Sequence, residues 1–220
     1  MLKIKILIVS KMSSLNLIPP TELLDRKKKK INLYDAIKAS YGSKEHENNI
    51  INNGYIKDDS LSNHNQSVYY HPKKQKLLVG VAGTHNLNDV GVDVMHAIGA
   101  IKSTHRFKEA EDVLKKSKEK YNPRKTDIVG HSIGGTITNY LGDSKDRKHT
   151  LDAGYTIGQP TRPDENNYRT SYDPVSLLAS GAKHIKTLRN NHEGLFNKVV
   201  HAHDVDNIAS TPIYIFKYNV

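Results

Sequence analysis

Residues 126–141, TDIVGHSIGGTITNYL, decide how this chain is read. Asp127-Ile128-Val129 is a short apolar run of strand type, and residues 136–141 continue with the period of a helix. Between them lies Gly130-His131-Ser132-Ile133-Gly134, a G-x-S-x-G sequence extended by Gly135. A serine on a tight strand-to-helix turn projects its hydroxyl from the sheet edge while the following amide faces a developing oxyanion; flanking glycines relieve the crowding. With a strand running in and a helix running out, the pattern reads as a nucleophile elbow and not as a chance Gly-Ser turn.

A serine hydroxyl is a weak nucleophile and needs a base that is itself oriented by a carboxylate. The downstream acids are Asp143, Asp146, Asp152, Asp164, Glu165, Asp173, Glu193, Asp204 and Asp206. Asp173 stands out because it follows the strand-like residues 168–171 and Pro174 stops that strand, which puts the carboxylate at a strand's C-terminal end. The histidines beyond it are His184, His192, His201 and His203. His201 and His203 both follow the apolar Val199-Val200 and precede a helix-like stretch, 205–209, where a loop could present a base. Position leaves the two open.

Outward from the elbow, residues 67–71 and 76–82 read as strands joined by a hairpin connection at 72–75. Residues 107–121 form a charged helix with Phe107, Ala110, Val113 and Leu114 facing inward, and further strand-like runs lie at 153–157, 184–188 and 212–218. Upstream, Leu33, Ile37 and Tyr41 recur every fourth residue, with Gly42 placed as a C-terminal cap. Strands alternating with helices predict an α/β fold with a mainly parallel sheet covered on both faces. Residues 1–66 are expected to be an N-terminal helix and polar extension packing on the core, and residues 67–220 the catalytic-type domain.

The composition of the 220 residues narrows the chemistry. There is no cysteine, which excludes a disulfide framework, a thiolate nucleophile and thiolate-bound metal. Hydrophobic residues make up 36%, and the apolar ones collect from Val68 onward. The formal net charge is +10, from 33 Lys+Arg against 23 Asp+Glu, but the basic residues are spread along the chain except at 26–30 and in the helix near 108–120. That helix also carries Glu109, Glu111, Asp112 and Glu119, and no aromatic-basic interleaving accompanies it, so nucleic acid is not expected as a partner. Residues 1–10, MLKIKILIVS, carry Lys3 and Lys5 and read as a strand, not a signal peptide. No window reaches the roughly 20 apolar residues of a membrane span, so a soluble protein of the cytoplasm or of a virion is expected.

From about Val68 to the C-terminus the chain resembles the class 3 lipases, a family with the α/β-hydrolase fold. Val79-Gly80-Val81-Ala82-Gly83-Thr84 is similar to the family's oxyanion strand, although Ala82 stands where an arginine is usual. Residues 88–93 resemble its next segment, with Val90 in place of tryptophan, and Tyr121-Asn122-Pro123 through Gly135 resembles the approach to the nucleophile. Thr156-Ile157-Gly158-Gln159-Pro160 is similar to its Gly-x-Pro loop, Asp173-Pro174-Val175 resembles the segment with the triad acid, and His203-Asp204-Val205 resembles the segment with the base. The resemblance implies a serine hydrolase of carboxylic (acyl) esters, lipids foremost, with Ser132, Asp173 and His203 as triad and Thr84 and Ile133 as oxyanion-hole residues. It selects His203 over His201. It implies no cofactor and no metal, an acyl-ester or lipid substrate, and, with the basic charge, peripheral contact with an anionic lipid surface. The alternative expectation is a catalytically silent hydrolase-like binding or structural protein, for example virion-associated.

Overall fold

The computed structural model describes residues 31–84, 100–155, 165–176, 184–190, 192–194, 197–198, 201–209, 213 and 215. The expected strands at 1–10 and 212–218, the segment at 88–93, the loop at 156–160 and the basic run at 26–30 lie wholly or largely outside these residues.

Seven strands form one sheet whose spatial order follows the chain: β1 (Ile56–Lys57), β2 (Gln66–His71), β3 (Lys76–Val81), β4 (Lys125–His131), β5 (Arg147–Leu151), β6 (Asn166–Thr170) and β7 (Ile185–Leu188). β1, β2 and β3 pair antiparallel, and β3 through β7 are parallel. The β2–β3 hairpin turns through Pro72, Lys73 and Lys74, then Gln75 at φ 50. The fold is the expected α/β-hydrolase class, a mainly parallel sheet flanked by helices.

Side chains alternate across this sheet and so feed two cores. Leu78 of β3 and Val129 of β4 face helix α1 (Leu33–Ser40), whose Leu33, Ala36, Ile37 and Ala39 are spaced to line one side of the helix. Leu77, Val79 and Val81, with Ile128, face helices α3 (His105–Tyr121) and α4 (Ile133–Tyr140) on the other side. Each fully buried aliphatic side chain stabilises by about 1.5–3 kcal/mol. α1 starts at a reciprocal cap: Asn32 accepts from the Asp35 amide at 2.7 Å and the Asp35 carboxylate accepts from the Asn32 amide. Helix α2 (Lys44–Asn52) follows it and packs against it.

One strand differs from expectation. The strand between α4 and β6 is residues 147–151, RKHTL, and residues 153–155 lie beyond it in irregular backbone. Its polar residues are buried or, for Arg147, half-buried, because each finds a partner: His149 Nε2 lies 3.0 Å from Asp127 Oδ1, Arg147 pairs with the other oxygen of Asp127, and Lys148 donates to the Asn139 carbonyl at 3.0 Å. A hydrophobicity pattern cannot find a strand whose inward residues are neutralised by neighbours distant in sequence.

Candidate active site

β4 runs straight into α4, and Ser132 is the single residue between them. Its backbone sits at φ 57, ψ −130, a region that side chains disfavour, and its amide is tied to the Leu151 carbonyl at 3.1 Å. The glycines around it are required by close approach. A Cβ on Gly130 would strike the Gly134 carbonyl and the Thr138 hydroxyl, and one on Gly134 would strike the carbonyls of Val81 and Ala82. The second clash shows that the first turn of α4 is pressed against the end of β3. Gly83 lies on the same side: a Cβ there would be 3.0 Å from Ser132 Cβ. Ile133, the first residue of α4, follows the serine directly, and Thr84 follows Gly83 in the chain.

Asp173 and His203 come from separate loops and meet. Asp173 follows β6, is 1% exposed, and its carboxylate accepts the amides of Ser176 at 2.8 Å and Val175 at 3.3 Å, which fixes its orientation. His203 Nδ1 lies 2.8 Å from Asp173 Oδ1. Since the carboxylate accepts, Nδ1 carries the proton and the neutral ring presents Nε2 as a bare acceptor. Both His203 Nε2 and Ser132 Oγ are buried, and neither has a hydrogen-bond partner among the described residues. Burial works against charge on the imidazole, but the hydrogen bond and the charge of Asp173, with Asp152 and Asp204 adding, hold its pKa above 6.5. Burial likewise opposes the Asp173 carboxylate, yet His203 and the Ser176 donors keep it below its ordinary value. His201 is exposed and its ring stacks on His192 at 4.8 Å.

Three further residues were not singled out by the sequence. Tyr41, directly after α1, accepts the Gly83 amide at 2.9 Å and lies 2.8 Å from His131 Nδ1. His131 Nε2 lies 3.1 Å from the His203 carbonyl, which can only accept, so Nε2 carries the proton. Burial, reinforced by the His203 charge, pushes His131 down to about 3, so the ring is neutral and Nδ1 accepts from the Tyr41 hydroxyl. Burial raises that hydroxyl to about 12, keeping it protonated. One directed chain, Gly83 to Tyr41 to His131 to the His203 backbone, thus joins the end of β3, the elbow and the base loop. Arg106 of α3 completes the clamp, donating to the carbonyls of Ala82 at 2.8 Å and Gly83 at 3.2 Å. A guanidinium therefore reaches this backbone although residue 82 is alanine. Tyr41 reads in sequence as the last apolar position of a helix, and nothing local distinguishes its hydroxyl.

His131, Asp152 and His203 place potential metal-binding atoms within 4.8 Å of one another. The ring nitrogens of His131 are committed to Tyr41 and the His203 carbonyl, and both oxygens of Asp152 accept from Thr170. That leaves His203 Nε2 as the one ring nitrogen of the three residues without a hydrogen-bond partner. A cavity of about 410 Å³ adjoins Asp173, lined by Arg169, Tyr172, Arg189 and Lys198 among others; neither Ser132 nor His203 lines it.

A strand–serine–helix elbow on a mainly parallel sheet, with an acid and a histidine supplied by later loops, places the fold in the α/β-hydrolase class. No protein-family model matches the chain, and no curated protein matches its sequence. Among solved structures it is similar to Rhizomucor miehei lipase in its propeptide complex, at 12% identity over 67% of this chain and 63% of that one, TM-score 0.43. It is similar also to the Lip2 lipase of Yarrowia lipolytica, at 13% identity over 57% and 60%, TM-score 0.39. A triacylglycerol lipase from Penicillium expansum is similar at 18% identity over 84% of this chain and 75% of that one, TM-score 0.38. The chain thus spans 63% of the Rhizomucor structure and 60% of the Yarrowia one. Among the described residues, no helix is long and apolar enough to cross a membrane.

Proposed function

We propose that the chain is a serine hydrolase that cleaves carboxylic esters, lipid acyl esters among them, through Ser132, His203 and Asp173. Two observations carry this reading: Ser132 Oγ and His203 Nε2 are each buried without a hydrogen-bond partner among the described residues, and His203 is bonded to Asp173 at 2.8 Å. A buried donor or acceptor without a partner costs about 1–3 kcal/mol, so one such atom on a strained turn and one on an oriented imidazole support a site kept for reaction.

In the reaction, Ser132 Oγ bonds to the ester carbonyl carbon as its proton passes to His203 Nε2. Asp173 holds the tautomer and stabilises the imidazolium. The amides of Ile133 and Thr84, with the Thr84 hydroxyl, receive the oxyanion. The imidazolium then protonates the departing alcohol, and water, activated by the same imidazole, releases the acid from Ser132. The net charge of +10 favours substrates presented on an anionic surface.

Ser132→Ala tests the reading. Hydrolysis of short- and long-chain p-nitrophenyl esters should fall about a millionfold and fluorophosphonate labelling should vanish. Turnover or labelling equal to the parent would overturn it.

A further inference from the structure

The triad uses one carboxyl beside His203, and the structure buries a second. Asp152 follows β5 directly, is fully buried, and holds a left-handed backbone at φ 47. Thr170 binds both its oxygens: the amide donates to Oδ1 at 2.5 Å and the hydroxyl to Oδ2 at 2.9 Å. The sheet explains the meeting. β4, β5 and β6 are adjacent and parallel, with His131 opposite Leu151 and Leu151 opposite Tyr168, so their C-terminal ends deliver His131, Asp152 and Thr170 to one place. One ring nitrogen of His131, one of His203 and a carboxylate oxygen of Asp152 lie within 4.8 Å of one another. Leu151 and Ala153 beside it are buried and apolar, so the carboxyl stands among apolar neighbours with only Thr170 donating to it among the described residues. An acid so placed costs several kcal/mol when charged unless another group answers its charge.

We infer that Asp152 is a positioning residue of the base: a second carboxyl that, together with Asp173, flanks the His203 imidazole and sets the pH at which that imidazole loses its proton. Its role in turnover rests on the hydrolase reading; its action on the imidazole does not.

The physical basis is the opposite treatment of the two acids. Asp173 is held below its ordinary value, whereas burial first, and the charge of Asp173 second, raise Asp152 to about 7; the His203 charge and the Thr170 donors oppose that rise. Two carboxylates in one buried site do not ionise together easily, and environments that push such a pair apart assign them different tasks. Asp173, ionised, orients the ring. Asp152 gains its charge only near neutrality, so its ionisation and the protonation of the imidazole beside it are linked. The groups that face this set are His131 from β4, Thr170 from β6, Tyr155 from the segment after β5, and Asp204 from the base loop. His131 stays neutral, which leaves Asp152 as the group whose ionisation changes the field at His203. An ionised Asp152 favours the imidazolium, so His203 stays protonated to higher pH than Asp173 alone would allow.

The test is a pH titration of the His203 ring by ¹⁵N NMR on the full chain, with kcat/KM for a p-nitrophenyl ester over the same range. Asp152→Asn keeps the shape and acceptor for Thr170 and removes the charge. The His203 midpoint should move about one pH unit towards acid, the acid limb of kcat/KM should follow it, and KM should stay within about twofold. Thr170→Val keeps the carboxyl but removes a donor to its charged form, so it should move the midpoint the same way by less; Thr170→Ser should restore it. A folded Asp152→Asn protein with an unmoved midpoint and acid limb would overturn the inference, leaving Asp152 a structural acid. Should Asp152→Asn not fold, an unmoved midpoint in Thr170→Val would overturn it equally. If the parent hydrolyses no ester, the hydrolase reading fails while the NMR midpoint still decides whether Asp152 acts on His203.

Discussion

The two halves of the site are built in opposite ways. On the nucleophile side the parts are local: residues 130–134 contain the serine, its strained turn, Gly130, whose missing side chain lets α4 lie close to β4, and Gly134, whose missing side chain lets α4 touch the end of β3. On the acid–base side nothing is local. Asp173 and His203 are 30 residues apart and Asp152 comes from another strand end; Asp173 is held by amides of its own loop, Asp152 by Tyr168 and Thr170 of β6, and His203 by Asp173 and His131. The first half is held by sterics and tolerates almost no change of shape. The second is held by hydrogen bonds and charge, and it tolerates shape changes better than changes in protonation.

The sharpest break in this contrast is at the base. His203→Ala should lower kcat about a millionfold, whereas His201→Ala should change it by less than about threefold, measured with the same ester. In the parent, the neutral imidazole is the competent form and its pKa is raised, so kcat/KM should fall as pH drops through a midpoint above 6.5. Next in size is Gly134→Ala, a single methyl on the nucleophile side. It meets the backbone carbonyls of Val81 and Ala82, which no rotamer change relieves, so stability should fall by about 1–3 kcal/mol and kcat about a hundredfold, read by thermal unfolding and ester turnover. Smallest is Tyr41→Phe, which preserves shape and removes the link between the halves. Gly83 loses its acceptor and His131 Nδ1 its donor; kcat should fall about tenfold with little change in KM. A Tyr41→Phe enzyme with unchanged kcat would show the two halves to be positioned independently.

This contrast also explains what could be read in the sequence. The elbow was legible because one short motif carries its own geometry, and helix α1 was legible because Leu33, Ile37 and Tyr41 repeat at helical spacing. Strand β5 was not, since Arg147, Lys148 and His149 look solvated until Asp127, Asn139 and Glu165 are seen against them. Asp173 was marked by Pro174 and the strand before it. His203 could be separated from His201 only by resemblance, because what distinguishes them, burial against Asp173, is a property of the folded chain. Asp152 stood in the row of downstream acids with nothing local to raise it, since its meaning lies in Thr170 and in the ends of neighbouring strands.

The hydroxyl of Tyr41 changes where this molecule can be divided. By composition, the apolar catalytic-type region begins near Ser67, and the residues before it look like covering that could be trimmed. Yet the hydrogen-bond chain that joins the Gly83 amide, His131 and the His203 carbonyl starts in that covering. A fragment beginning at residue 67 would retain Ser132, Asp173 and His203 and lose the Tyr41 hydroxyl that bonds Gly83 and His131. On the proposed hydrolase reading, loss of the N-terminal helix should therefore lower turnover without touching Ser132, Asp173 or His203.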